Sequence, residues 1–285
     1  MLVKTIFIIP YRDREPHKKK WLEAMEKNLS DWDKSSYKIL FIHQLDYKPF
    51  NRGAMKNIGF LVIKNLYPDS YKDITIIFHD VDTWAESKNL ISYKTTKGKV
   101  AHYYGYDFAL GGMVGINCED FERTGGFPNL WGWGIEDNTL QDRCINCGLI
   151  IDRSNFYEIN DYRIMRMYDG NTRLVSIEDP LNYRIGNLDG LNDISNLSYN
   201  IIGNMVNVTS FTTGTSDSVQ KYREHDIRLS SKLPVVKIKK NQSPPAAVNR
   251  KDLSLSSNTR EKLVNKNVVL SSRKISGKRS WQFLG

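Results

Sequence analysis

The feature that most constrains the fold of this chain is an alternation of short apolar runs with segments of helical periodicity, beginning near the first residue. Residues 3–9 form a β-branched run that ends at Pro10, as expected of a buried strand. Similar runs follow at residues 38–43 and 74–78, and residues 54–66 carry apolar side chains on one helical face. This alternation predicts a parallel sheet covered by helices on both faces.

Polar residues follow each of the three predicted strands. They lie at residues 11–14 (YRDR), 50–52 (FNR) and 79–82 (HDVD). Ligands of such sheets bind at the carboxyl ends of the strands, so we expect Arg12, Arg14 and Arg52 to converge there. A guanidinium group matches a diphosphate, although surface ion pairs with Asp13 or other acids are the alternative.

Asp80 and Asp82 form an Asp-X-Asp sequence at the end of the third strand. In an extended backbone both side chains point to the same side, where their oxygens suit Mn²⁺ or Mg²⁺. A turn or a helix start explains the same tripeptide equally simply. The neighbouring arginines favour the metal interpretation.

Residues 101–138 are rich in glycine and aromatic residues, which predicts an irregular binding loop or lid. Glu136 and Asp137 follow its Trp-Gly-Trp-Gly segment. One carboxylate beside a stacked sugar can accept a proton from an attacking hydroxyl while the other holds further hydroxyls. Both residues also suit the first turn of a helix, and the two interpretations are compatible. Cys144 and Cys147 lack a second ligand pair, so half-buried thiols are favoured over a zinc site.

The formal charge of +9 is concentrated at the carboxyl end of the chain. Residues 221–285 contain 16 Lys and Arg against 4 Asp and Glu, a net +12, which leaves −3 for residues 1–220. We therefore predict a basic, largely disordered tail over residues 217–285 after a domain over residues 1–216. The tail is either a solvated extension or an arm for an anionic partner such as nucleic acid, an acidic glycan or a membrane surface.

Eighteen consecutive apolar residues occur nowhere in the sequence, and the first apolar run is too short for a signal-peptide core. Three cysteines cannot build a disulfide framework. We expect no transmembrane segment and a cytoplasmic location, with a viral or microbial origin as an open possibility.

Taken together, the motifs resemble those of the β-1,4-galactosyltransferase family, also called family 7 glycosyltransferases. The matching stretches are residues 9–14 (IPYRDR), 50–54 (FNRGA), 78–82 (FHDVD) and 125–137 (GGFPNLWGWGIED), with a fainter match from residue 189 to 199. The resemblance covers roughly residues 3–215. It implies an α/β fold of the GT-A type, a Rossmann-like mixed sheet with helices on both faces, that binds a UDP-sugar with Mn²⁺ or Mg²⁺.

The resemblance also implies roles for individual residues. Those for the donor are Pro10, Arg12, Arg14, Phe50, Arg52, Asp80 and Val81, with Asp82 as a metal ligand. Trp133 would cover the donor, Glu136 would orient the acceptor, and Asp137 would be the catalytic base. The implied reaction is an inverting transfer of galactose or N-acetylgalactosamine to a sugar hydroxyl of a glycan or glycoside acceptor.

Three positions depart from the family pattern. Met167 stands where a histidine metal ligand is expected, and thioether sulfur is a weak partner for Mn²⁺. Asp161, Asp169 or a nearby histidine would then supply the ligand, or metal binding is impaired. Asn138 replaces a third acid and alters acceptor contacts. Ala109 replaces a bulky tyrosine of some members, which leaves room for an N-acetylated donor.

Two further hypotheses remain beside the enzyme. A catalytically weakened glycan- or nucleotide-binding protein of the same fold would explain Met167. A nucleic-acid-binding protein would rest on the basic tail alone.

Overall fold

The three predicted apolar runs form strands that lie side by side in one sheet, with the first strand between the other two. In the computed structural model of the chain, residues 3–176, 189–214, 217 and 222–226 are described. The helices are α1 (Glu15–Asn28), α2 (Arg52–Leu66), α3 (Cys118–Thr124) and α4 (Glu136–Asn146), with short 3-10 turns at Tyr71–Asp73 and Leu191–Asp193. The strands are β1 (Thr5–Tyr11), β2 (Tyr37–Gln44), β3 (Thr75–His79), β4 (Thr83–Ala85), β5 (Lys99–Gly105), β6 (Met113–Asn117), β7 (Ile150–Asp152), β8 (Tyr157–Glu158), β9 (Ile164–Arg166), β10 (Thr172–Ser176), β11 (Ser195–Ile202), β12 (Met205–Thr212) and β13 (Tyr222–Asp226).

The main sheet has nine strands in the order β11-β12-β2-β1-β3-β6-β5-β7, with β8 paired to β5. β1 is parallel to β2 and to β3, and β12 is parallel to β2. β6 runs antiparallel to both of its neighbours, so the sheet is mixed. The predicted α/β class with a mixed sheet is therefore confirmed.

Alternate side chains of β1 enter two separate cores, one on each face of the sheet. Ile6 and Ile8 pack with the apolar residues of α2, α3 and α4. Phe7 and Ile9 pack on the other face with Trp21 and further α1 residues. Because β1 is covered on both sides, its apolar run is continuous rather than alternating. The predicted covering of both faces is confirmed.

Two local expectations were wrong. β1 continues through Pro10 to Tyr11. Its pairing with β3 has already ended at Ile8, so the missing proline N–H falls beyond the doubly paired part of the strand. About half of residues 101–138 is regular, because β6, α3 and parts of β5 and α4 lie within this range. Its glycines allow close approach inside the sheet: a Cβ on Gly115 would lie 2.9 Å from the Tyr103 hydroxyl oxygen.

Part of the segment after residue 216 joins the folded unit. β13 pairs antiparallel with β10, and the Lys48 ammonium lies 2.8 Å from the Asp217 carboxylate. The Pro244-Pro245 and Ser-rich segments of the predicted tail lie outside the described residues. No helix in the described part of the chain is long and apolar enough to cross a membrane.

Candidate active site

A cleft of about 370 Å³ opens at the carboxyl ends of β1 and β3. Eleven of the predicted site residues line it: Pro10, Arg12, Arg14, Phe50, Arg52, Asp80, Val81, Asp82, Ala109, Trp133 and Asp137. They come from five separate stretches of sequence. The structure thus brings together the strand-end residues and the Trp-Gly-Trp-Gly segment around one hollow.

Arg52, at the first position of α2, links three carboxylates across this cleft. Its Nη1 donates to Glu136 Oε1 at 2.9 Å and to Asp137 Oδ2 at 2.7 Å, and its Nη2 pairs with Asp80. Burial alone would lower the pKa of Arg52, but the three carboxylates raise it well above its usual value. Arg52 is therefore a fixed cation that joins the strand-end acids to the start of α4.

The Asp137 carboxylate is held between two cations. Oδ2 accepts from Arg52, and Oδ1 accepts from Lys56 Nζ at 2.8 Å. Burial by itself would raise the pKa of Asp137, but Arg52 and Lys56 outweigh it and lower the pKa to about 2. Asp137 lies in the first turn of α4, where the helix dipole also favours a carboxylate, as the sequence predicted. The group is ionised at neutral pH.

The backbone before α4 is unusual. Ile135, the residue that precedes the helix, has a φ of 60°, in the left-handed region that is costly for a β-branched side chain. Gly111 approaches Asp137 so closely that an added Cβ would lie 2.5 Å from Oδ2. The absence of a side chain at Gly111 therefore leaves room for the Asp137 carboxylate at the wall of the cleft.

The surroundings of Asp82 shift its pKa in the opposite direction. Burial raises its pKa to about 7, with further contributions from the nearby carboxylates of Asp80 and Asp169, and Arg166 and Arg52 counteract this only in part. The backbone N–H of Met167 donates to the Asp82 carbonyl at 2.7 Å, so Met167 does lie beside Asp82. Carboxyl groups crowded in this way favour a bound cation.

This arrangement fits a divalent cation bound jointly by protein and substrate. Among the described residues, no three His, Cys, Asp or Glu side chains form a ready-made metal site. Mg²⁺ and similar hard ions are commonly bound by one or two carboxylates together with substrate phosphates. Asp82 would supply one such oxygen ligand, and both Asp82 and Asp169 line the cleft. Asp161 instead forms an ion pair with Arg163 at 2.7 Å.

The side chains of Arg12 and Arg14 differ in their hydrogen bonds to the rest of the protein. The Arg12 guanidinium donates to the carbonyls of Gln44, Asp46 and Lys48, and it lies 5.6 Å from the centroid of the Phe50 ring. Arg12 therefore fixes the loop that presents Phe50. Within the described residues, the Arg14 guanidinium makes long contacts, at 3.4 Å, to two backbone carbonyls, so it can turn to a ligand.

Trp133 is tied to β10 by its backbone. Its N–H donates to the Leu174 carbonyl at 2.7 Å, and both residues line the cleft. The adjacent Trp131 faces inward instead and stacks on Phe211 at 5.1 Å between ring centroids. The two tryptophans of the motif therefore have different locations, one in the core and one at the cleft.

Two predicted residues lie beside the cleft rather than on its surface. Glu136 is buried, and its Oε2 accepts from the Gly134 N–H at 3.0 Å while Oε1 faces Arg52. Asn138 donates to the Phe108 carbonyl at 3.2 Å. The predicted acceptor contacts of these two side chains stay predictions. Cys144 is buried in α4 and Cys147 half-buried at its end, which agrees with the thiol interpretation.

Sequence reasoning missed Lys56, Arg166 and Arg173. Lys56 carries a signal that could have found it, because it is a lysine within an otherwise buried run of α2. Arg166 and Arg173 line the cleft from β9 and β10. Both residues lie far along the sequence from the other cleft residues. Short-range periodicity does not indicate which strands meet, so it could not identify them.

Two family models match the first part of this chain. Residues 1–94 match the family model described as the N-terminal region of glycosyl transferase group 7. Residues 94–168 match the model described as the N-terminal domain of galactosyltransferase. The two matches are contiguous and together cover more than half of the 285 residues.

Curated relatives are similar over the same region. β-1,4-Galactosyltransferase 5 of Mus musculus is 32% identical over 162 residues, which span 53% of this chain and 40% of that protein. β-1,4-Galactosyltransferase 4 of Homo sapiens is 33% identical over 155 residues, spanning 50% and 42%. The chain therefore spans less than half of the length of these relatives.

Solved structures show the same fold. The catalytic domain of Drosophila β1,4-galactosyltransferase 7 in complex with xylobiose superposes with a TM-score of 0.61 at 20% identity, over 75% of this chain and 96% of that one. A variant of that enzyme in complex with manganese, UDP-Gal and xylobiose gives a TM-score of 0.60 at 19% identity, with the same coverage. The GT-A type of the fold is thereby established.

Proposed function

Because the chain belongs to the β-1,4-galactosyltransferase family, we propose that it transfers galactose or N-acetylgalactosamine from a UDP-sugar to a sugar hydroxyl with inversion. The observation that carries this proposal is the meeting of Arg14, Arg52, Asp82, Trp133 and Asp137 around one cleft. Cations for a diphosphate, a carboxylate for a metal and a second carboxylate for a proton are the parts that such a transfer needs.

Asp137 is the proposed base. The acceptor hydroxyl gives its proton to the Asp137 carboxylate while its oxygen bonds to the anomeric carbon of the donor sugar. The bond from that carbon to the diphosphate breaks, and its electron pair leaves with UDP. One displacement inverts the configuration. Arg52 lies on Asp137 Oδ2 at 2.7 Å and also lines the cleft, so a diphosphate that draws Arg52 toward it would release this oxygen.

The donor side of the cleft offers positive charge to the leaving group. Arg14 and Arg52 are the proposed contacts of the diphosphate, and Phe50, Pro10 and Val81 are the proposed walls for the nucleoside. A Mn²⁺ or Mg²⁺ ion at Asp82 would supply further charge neutralisation to the departing UDP. Trp133, which also lines the cleft, is the proposed cover of the donor.

Ala109 sets the proposed choice of donor sugar. It is buried and lines the cleft close to Gly111, which itself touches Asp137. A methyl side chain leaves room beside the sugar's second carbon, so we include UDP-N-acetylgalactosamine as a donor. Replacement by tyrosine (Ala109→Tyr) is expected to reduce turnover of the N-acetylated donor more than that of UDP-galactose.

The proposal is tested by measuring UDP release from both donors against a panel of sugar acceptors, with Mn²⁺ and with chelator. Acceptor-dependent release that chelator abolishes is the expected result. Release that does not depend on any acceptor, or no release at all, would reject the transferase. A melting-temperature shift with UDP and Mn²⁺ measures binding independently of turnover.

A second candidate is a glycan- or nucleotide-binding protein of the same fold with weakened catalysis. The observation in its favour is Met167, whose backbone N–H donates to the Asp82 carbonyl and whose soft sulfur replaces the hard ligand that the family pattern predicts. It predicts a melting-temperature shift with UDP but no acceptor-dependent UDP release. The anionic partner of the tail and the cytoplasmic location stay predictions from the sequence.

A further inference from the structure

Lys56 is a buried charged group that the proposed reaction leaves unused. It lies on α2, 2% exposed, and it is absent from the residues that line the cleft. Lysine is almost never fully buried unless it is paired, because removing an ammonium group from water is costly. Its position in the core therefore requires a compensating contact.

That contact is the Asp137 carboxylate. Lys56 Nζ lies 2.8 Å from Asp137 Oδ1, and 4.2 Å from the centroid of the Phe127 ring. The two cations of Asp137 thus occupy different places. Arg52 contacts Oδ2 from within the cleft, whereas Lys56 contacts Oδ1 from the protein interior, where no ligand in the cleft reaches it.

The charges of this cluster show what Lys56 contributes. Without it, the carboxylates of Asp80, Glu136 and Asp137 would share the single guanidinium of Arg52. Under the proposed function, a donor diphosphate competes for that guanidinium. Lys56 then remains the cation that keeps Asp137 ionised and in place.

We propose that Lys56 is a positioning residue for the transfer reaction, holding Oδ1 of Asp137 from the interior so that Oδ2 faces the acceptor when Arg52 engages the diphosphate. The inference rests on the proposed function, in which Asp137 is the base. It assigns to α2 a part in catalysis beyond carrying Arg52 at its first turn.

The test compares Lys56→Met with wild type, using Lys64→Met as a matched control on the same helix. Lys64 is an exposed lysine paired with Glu122, away from the cleft. We expect Lys56→Met to lower kcat by at least about tenfold, the loss typical of a misplaced catalytic group, with the donor KM within about twofold. The acid limb of the kcat–pH profile should move to higher pH, because Lys56 lowers the pKa of Asp137. Lys64→Met should match wild type in all three.

A second variant, Lys56→Gln, keeps the proposal testable if the methionine variant does not fold. The glutamine amide can still donate to Asp137 but carries no charge. It should shift the acid limb in the same direction with a smaller loss of kcat. Unchanged kcat and pH profile in both variants would overturn the positioning role while leaving the transferase intact. An equal loss of UDP affinity and kcat would reduce Lys56 to a structural residue. Absence of turnover in wild type would instead reject the proposed function, and this role with it.

Discussion

Asp137 and Asp82 lie in the same cleft, yet their surroundings shift the pKa values of the two carboxyl groups in opposite directions. Asp137 is held by two cations, and its pKa falls to about 2. Asp82 lies near Asp80 and Asp169, and its pKa rises to about 7. Both side chains are removed from bulk water, so burial does not explain the difference. The direct hydrogen bonds of Asp137 to Arg52 and Lys56 explain it, together with the carboxylates of Asp80 and Asp169 that act on Asp82.

The contrast indicates which charges the chain supplies itself and which it leaves to ligands. The Asp137 side has its own cations. A catalytic base must be ionised before the substrate arrives, so these cations suit the proposed role of Asp137. The Asp82 side has an excess of carboxylate, which a divalent ion and a diphosphate together would balance. We therefore expect changes at the two ends to separate turnover from metal-dependent binding.

The largest expected effect is that of Asp137→Asn. An amide cannot take the acceptor proton, so kcat should fall by about 10²- to 10⁴-fold, the usual contribution of a general base. UDP affinity, measured by calorimetry, should stay within about threefold of wild type. Asp33→Asn, at an exposed turn, is the control and should retain full turnover. Unchanged turnover in Asp137→Asn would remove this residue from the mechanism.

Arg52→Met is expected to have the next largest effect, on stability. It removes the cation shared by Asp80, Glu136 and Asp137, and breaking a buried ion pair on one side costs about 3 kcal/mol or more. Urea denaturation at pH 7 measures the loss. Lys20→Met breaks an exposed pair with Glu23 and should cost less than about 1 kcal/mol. Similar losses in the two variants would show that the cluster is not held by Arg52.

His102 makes the stability of the region around Asp137 depend on pH. Burial is the main cause of its pKa of about 4, with a contribution from Arg153, and its Nε2 lies 3.1 Å from the carbonyl of Gly111, which packs on Asp137. The folded state binds fewer protons than the unfolded state between pH 6.5 and 4. The stabilisation is therefore complete above pH 6.5 and is lost as the pH falls through 4.

From pH 7 to pH 5 this residue should contribute a loss of about 2 kcal/mol in the free energy of unfolding. Denaturant titrations of wild type and His102→Gln at both pH values measure how the free energy of unfolding of each protein changes with pH. The variant should lose less stability than wild type over this interval. Parallel profiles would mean that His102 is not kept neutral by the fold.

Asp82→Asn is the smallest of the predicted changes. Loss of one carboxylate ligand should weaken UDP binding by about tenfold when Mn²⁺ is present. UDP binding in the presence of chelator should not weaken. Calorimetric titrations under both conditions distinguish these results. If Mn²⁺ strengthens UDP binding equally in wild type and variant, the ion is held elsewhere.

Local sequence patterns were sufficient for β1, β2 and β3, for α2 and for the edge of the sheet where the cleft lies. Ile6 to Ile9 could be recognised because a doubly covered strand is apolar throughout. The carboxyl ends of parallel strands then fix where Arg52 and Asp80 meet. The start of α4 at Glu136 followed from its acidic first turn.

Contacts between distant segments could not be predicted in this way. The Lys56–Asp137 pair joins residues 81 positions apart, and nothing in either local sequence specifies the other. The hydrogen bonds of the Arg12 guanidinium to the loop from Gln44 to Lys48 could not be predicted either. The pairing of β10 with β13 depends on tertiary packing, as sheet partners generally do.

The central claim is a single displacement assisted by Asp137, and the configuration of the product tests it most directly. Wild-type protein would be incubated with Mn²⁺, α-linked UDP-galactose and an acceptor that supports UDP release, and the anomeric proton of the transferred sugar observed by NMR. The account predicts a β-linked product throughout the reaction. An α-linked product would contradict it, because retention requires chemistry other than one displacement with one base.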